Sequence, residues 1–313
     1  MFMRCPLSFL LVFTALTAPS AQEPAARPDF TTQSELVVLH VAVKDKKGGY
    51  VGGLGQDSFR VLEDRRPQAI SFFNSQDAPV TVGLVIDSSG SMAPNRTMVI
   101  AASMAFTKAM NPQDEFFVMG FNEYIHTPLP SEKPFTNSEP ALRVALVQAI
   151  KALGQTAIYN AVDAALDYVQ KGGFERQVLI VLSDGGDNAS STTRAQVLAN
   201  AQGSNAVIYT IALVDPMDSE ADPGFLKQLS DSTGGVAFRP KNAAEIENIL
   251  QGVARDIRNM YTIGYVPSDE AAARKVPLRR VAVDVRLPTG QKLAVRTRRA
   301  YLAGAEETSN DDR

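Results

Sequence analysis

The residues able to do chemistry gather in one run, Val80-Thr81-Val82-Gly83-Leu84-Val85-Ile86-Asp87-Ser88-Ser89-Gly90-Ser91-Met92. An acid and two spaced hydroxyls, Asp87, Ser89 and Ser91, follow directly on a mostly apolar stretch. All three present hard oxygen donors with little formal charge, a set that suits Mg²⁺ or a similar cation, with Mn²⁺ and Ca²⁺ as the other choices. Two later pieces carry donors of the same kind. One is Gly154-Gln155-Thr156, between two periodic helices; the other is Leu182-Ser183-Asp184-Gly185, which closes a second apolar run. Together Asp87, Ser89, Ser91, Thr156 and Asp184 supply two carboxylates and three hydroxyls. Neutral hydroxyls leave a bound cation electron-poor, able to accept one more oxygen from outside, most naturally a protein partner's carboxylate.

Plainer roles compete with this reading. Ser89 and Ser91 could cap the next helix or turn, Thr156 could cap the helix entered at Ile158, and Asp184-Gly185 could be a turn. None of those roles requires the other two pieces. A rival of another class makes Asp87 the nucleophile of a Mg²⁺-dependent phosphatase or phosphotransferase. Such a site commonly has a second acid two residues on, and here that residue is Ser89. Serine hydrolysis lacks the G-x-S-x-G setting, and neither His40 nor His126 has a claim to be the base. A third reading is a scaffold whose metal is purely structural. The expectation is a non-enzymatic binding protein.

The elements that would position these residues follow from periodicity. Val80 to Ile86 fits a strand buried on both faces, with the polar set where its carboxyl end meets a loop. Beyond it, helical stretches around 97–110, 142–153, 158–169, 193–201, 224–230 and 246–257 alternate with strands at 115–121, 177–182, 206–213 and 236–238. That alternation predicts an α/β fold with a doubly wound, mostly parallel sheet. On either side the helical period vanishes. Val37, Leu39, Val41 and Val43 alternate, as do Tyr261, Ile263 and Tyr265, and again Val281, Val283 and Val285. Phe59-Arg60-Val61 and Ile70-Ser71-Phe72 flank a charged turn from Glu63 to Pro67. Pro288-Thr289-Gly290 reads as a hairpin turn into Leu293, Val295 and Thr297. The economical arrangement joins the N- and C-terminal strands in one β-sandwich, with the α/β part inserted between them.

Composition narrows the partners. The net charge is −3, or −4 without the first 20 residues, whose one charged group is Arg4. That balance gives no reason to expect nucleic acid. Leu7 to Ala18 is apolar but too short to span a bilayer, and the small residues Ala18-Pro19-Ser20-Ala21 follow. This predicts a cleaved signal peptide, a secreted or periplasmic location and no transmembrane segment in the mature chain. The one cysteine, Cys5, lies before that run, so the mature chain would have no thiol chemistry. The expected layout is a signal peptide at 1–20, a flexible leader at 21–32, a β segment at 33–78, the α/β domain at 79–259, a second β segment at 260–303 and a disordered acidic tail at 304–313.

With these residues in view, the stretch from about Pro79 to Asn259 resembles the von Willebrand factor A (VWA) domain family. The family's metal-ion-dependent adhesion site (MIDAS) is D-x-S-x-S, then a threonine, then an aspartate ending a later strand. Asp87, Ser89, Ser91, Thr156 and Asp184 match it in order. The resemblance implies that the serines and threonine bind the ion directly and that one or both aspartates act through water. Looser features, Phe59 to Asp64 and Tyr261 to Pro267, are similar to a subgroup of secreted bacterial proteins in which β segments surround such a domain.

Overall fold

A computed structural model describes residues 36–151, 153–214, 220–242, 244–268, 277–287 and 292–303. The expected signal peptide, leader, acidic tail and Pro288-Thr289-Gly290 turn lie outside these residues.

The chain opens with four strands, β1 (Val37–Lys44), β2 (Phe59–Glu63), β3 (Arg66–Gln68) and β4 (Ile70–Asn74). β2 and β3 pair antiparallel around Asp64 and Arg65, which both take positive φ, 46° and 69°. The turn is therefore these two residues alone. Glu63, expected in a charged turn, instead ends a strand and is buried.

An α/β layer follows. Its elements are β5 (Thr81–Asp87), α1 (Arg96–Ala109), β6 (Glu115–Phe121), β7 (Ile125–His126), α2 (Glu139–Ala149), α3 (Ile158–Val169), β8 (Gln177–Ser183), α4 (Arg194–Gly203), β9 (Val207–Ala212), α5 (Pro223–Thr233), β10 (Ala237–Phe238) and α6 (Ala244–Arg258). The sheet order is β10-β9-β8-β5-β6-β7, parallel except for the β7 edge. Every residue of β5 is buried, as a strand covered on both faces requires. One face packs against α1, α2 and α6, the other against α3, α4 and α5. In α3, Ile158, Ala161, Val162, Ala165, Leu166 and Val169 form one buried stripe. The helical period was expected to run on to Leu153. Instead α2 ends at Ala149, Ile150 turns to extended backbone, and Leu153 is exposed in a loop.

The last strands are β11 (Met260–Tyr265), β12 (Leu278–Val285), β13 (Ala294–Arg296) and β14 (Ala300–Leu302). They complete two antiparallel sheets, β13-β1-β11-β4 and β14-β12-β2-β3. Each sheet mixes strands from both ends of the chain. Their inner faces share one core, with Leu39, Val41, Val61, Tyr261, Ile263 and Val281 in it. Among the described residues β12 and β13 are not paired as the expected hairpin would have them; β13 pairs with β1 in the opposite sheet. The period-2 pattern around Val295 specified a strand but not its neighbour.

The inserted layer leaves after β4 and returns through β11, and β4 and β11 are hydrogen-bonded neighbours, with Asn74 opposite Thr262. Both connections lie at the amino edge of the parallel sheet. The carboxyl edge, where Asp87 and Ser183 end their strands, is left free of the sandwich's chain connections.

Candidate metal centre

β5 and β8 are parallel and in register, so Asp87 and Ser183 finish side by side at the carboxyl edge. Asp87 is 0% exposed and both its oxygens are engaged. Oδ1 accepts the Ser89 N–H at 2.8 Å and Oδ2 accepts the Ser183 hydroxyl at 2.6 Å. Burial pushes the Asp87 carboxyl up to about 6, against the hydrogen bonds from Ser183 and Ser89 that hold it down, with the Asp184 charge adding to the rise.

The serines do not cap. Ser89 has the extended backbone of a cap position before the 3₁₀ turn Gly90–Asn95, yet its side chain makes no cap bond. Its Oγ lies 3.1 Å from Ser91 Oγ, and Ser91 donates to Asp184 Oδ2 at 2.8 Å. A continuous path of short contacts thus runs from Asp87 through Ser89 and Ser91 to Asp184. Asp184 is fixed in turn, its Oδ1 accepting the Gly186 N–H at 2.9 Å. Gly185 takes φ +87°, and a side chain there would run into the Asp222 carbonyl, so glycine is required after the acid.

Thr156 stands apart from that path. It is buried next to the loop, and the bonds that hold it come from its backbone. Its N–H donates to Asn188 Oδ1 at 2.9 Å, while its carbonyl accepts from the Asn188 and Ala189 amides. Thr156 does not cap α3, whose cap position is Ala157 and has no side-chain bond. The segment before Thr156 is bolted to the first loop. Ser88 Oγ accepts the Lys151 N–H at 2.6 Å, Ser88 O accepts the Leu153 N–H at 2.9 Å, and Gly90 donates to Gly154 O at 3.4 Å. These bonds pull the chain out of helix α2.

Three positioning residues carried no role in the sequence reading. Ser183 steadies Asp87, Ser88 fixes the amides of Lys151 and Leu153, and Asn188 fixes Thr156. Ser183 adjoins Asp184, which was its one visible signal. The Asn188 side chain joins Thr156 to Glu220. Asp187 accepts from the Tyr159 amide and the Ser190 hydroxyl, at the first turn of α3.

The donor set fits a hard, small cation. Among the described residues no group of three or more His, Cys, Asp or Glu gathers anywhere. The candidate is therefore this charge-poor mixture of two carboxylates and hydroxyls. Among the described residues no Lys or Arg side chain pairs with Asp87 or Asp184.

A family model described as the von Willebrand factor type A domain matches residues 81–252. Among solved structures, a von Willebrand factor type A protein from Catenulispora acidiphila is 15% identical, with 80% of this chain and 76% of that one covered and a TM-score of 0.48. The vWF domain of a type V pili tip protein from Porphyromonas gingivalis is 15% identical over 58% of this chain and 97% of that one, at a TM-score of 0.46. The pilus adhesin SpaC from Lactobacillus rhamnosus GG, in its open conformation, is 11% identical over 82% and 49%, at 0.47. No curated protein sequence matches.

Proposed function

The chain belongs to the von Willebrand factor type A domain family, a family of protein-interaction modules, and from that premise we propose that it grips an acidic group of a protein partner through a divalent cation. Ser89, Ser91 and Thr156 would hold the ion through hydroxyls, and Asp87 and Asp184 through their carboxylates or an intervening water. Mg²⁺ is the first choice of ion, with Mn²⁺ or Ca²⁺ as substitutes. When bound there, the ion supplies an electron-poor centre that takes a carboxylate from outside. The observation that carries this reading is the path of contacts joining Asp87, Ser89, Ser91 and Asp184. A hydroxyl turned toward a distant acid, instead of capping its own helix, has no use in capping or turn formation.

The same geometry disfavours a phosphoryl-transfer role for Asp87. A nucleophile needs a free, accessible oxygen, and both Asp87 oxygens accept hydrogen bonds in a fully buried setting. The residue two positions on, Ser89, cannot serve as a general acid. The reading is therefore of a non-enzymatic binding protein. Its location, secreted or periplasmic after signal cleavage, rests on the first 21 residues; among the described residues no helix is long and apolar enough to cross a membrane.

The test is capture of envelope proteins on the immobilised chain with Mg²⁺ and elution with EDTA, wild type against Asp87→Ala. Bound protein should leave with EDTA and be missing from the variant. Retention that survives both EDTA and the substitution overturns the reading.

A further inference from the structure

We infer that the partner is read by two features at once: a carboxylate for the cation site, and a bulky apolar side chain beside it for a rim built by Tyr124 and Leu153. This rests on the metal-dependent reading above and names the chemistry of the occupant.

Tyr124 and Leu153 are 74% and 69% exposed, the two most exposed large apolar side chains among the described residues. A single exposed apolar residue means little. The backbones of these two are tied to one residue. Asn122 donates from Nδ2 to Leu153 O at 2.9 Å, accepts the Tyr124 N–H on Oδ1 at 2.8 Å, and donates its own amide to Tyr124 O at 3.1 Å. One side chain therefore clamps both loops. The Leu153 amide is bound to the carbonyl of Ser88, the residue next to Asp87. Gly154 sits at φ +91°, and a side chain there would strike the Glu123 carboxylate, which accepts the Gln155 N–H at 2.9 Å. The apolar pair is thus fixed to the loops that carry Asp87 and Thr156. Such pre-organisation lowers the ordering cost of binding.

Charge chooses between occupants. Glu123, next to Tyr124 and bonded to the Gln155 amide, and Glu220, bonded to Asn188, are exposed acids tied to the loops of the site. Two fixed acids oppose a polyacidic segment and tolerate one carboxylate neutralised at the cation. The complementary occupant is an extended protein segment with a single Asp or Glu and a Leu, Ile, Phe or Tyr within two positions of it.

A displayed library of random hexapeptides, selected on the full chain in Mg²⁺ and eluted with EDTA, tests this. The expected eluate is enriched in peptides with one acid and a bulky apolar neighbour. Affinity for them should fall at least about tenfold in a Tyr124→Ser, Leu153→Ser double variant, the loss expected when apolar anchors are truncated. Enrichment of acids with no apolar preference overturns the inference and leaves the metal reading standing. No EDTA-released enrichment of acids overturns both. Apolar peptides that bind equally in EDTA overturn the coupling of the two features. Should the double variant fail to fold, Tyr124→Ser alone decides: a loss of about threefold or more supports the rim, and unchanged affinity overturns it.

Discussion

Glu63 and Asp87 are both buried acids at the end of a strand, 1% and 0% exposed. Glu63 lies inside the β-sandwich and is fully answered by the chain. It accepts from the hydroxyls of Tyr265 and Tyr301, each at 2.7 Å, and from Arg279 Nη1 at 3.0 Å. Burial, together with the neighbouring acid, raises both tyrosines, so they remain neutral donors. Asp87 lies at the open edge of the parallel sheet, answered by hydroxyls and one amide and, among the described residues, by no Lys or Arg side chain. A buried negative charge costs several kcal/mol unless paired. At Glu63 the pairing is internal, and the network is structural. At Asp87 the chain supplies hydrogen bonds alone, which is the setting the proposed cation would complete.

That contrast can be broken by experiment. The largest effect is expected at Glu63→Gln, which leaves Arg279 buried without its counter-charge. Unfolding free energy should fall by about 3–5 kcal/mol, with no dependence on Mg²⁺. A cost under about 1 kcal/mol would show that the sandwich acid is not structural.

Next is a buried base, His40, which faces Arg176 and Arg298. Burial and then those two charges push it down to about 3, against an ordinary value of 6.5. The unfolded chain therefore binds a proton below pH 6.5 that the native chain refuses until about pH 3. His40 should cost stability increasingly as pH falls through that window, by about 1.4 kcal/mol per pH unit. In His40→Leu the fall between pH 6.5 and 5 should be shallower, as read by urea unfolding. Parallel curves would mean that His40 does not titrate differently on folding.

The smallest effect is expected at Asp87→Asn. An amide can accept from Ser89 and donate to Ser183, so the fold should be no less stable in EDTA than wild type. What should vanish is the response to the ion. At ten times the dissociation constant, Mg²⁺ should stabilise wild type by about 1.4 kcal/mol and leave the variant unmoved. A loss in EDTA as large as that of Glu63→Gln would erase the distinction between the two acids. A Mg²⁺ response retained in the variant would remove Asp87 from the donor set.

The sequence carried the alternation of strands and helices because burial imposes its period directly. β5, β6, α3 and β8 stand where that period placed them. It carried less about partners. β13 has the pattern of any half-buried strand, and its choice of β1 over β12 is made by the two sheets closing on one another. The helical pattern ran through Leu153, but Ser88 captures the amides of Lys151 and Leu153 and ends α2 early. At the site, the spaced acid and hydroxyls stood out because they follow a buried strand. Ser183 and Asn188 did not, since polar residues in loops look alike until their partners are known. Glu63 was the hardest case. A charge in a charged stretch reads as surface, and only the tertiary meeting with Arg279 and two tyrosines makes it core.

The placement of both connections at one edge of the parallel sheet has a mechanical consequence. A partner tugging at the carboxyl edge would send its load down the length of β5 and its neighbours. The load would then enter the sandwich through β4 and β11, two strands already laced together. Those two strands are antiparallel, so the load reaches the end of one and the start of the other side by side, at the pair Asn74 and Thr262. A pull on the carboxyl edge would thus be shared between both connections at once and not fall on a single one.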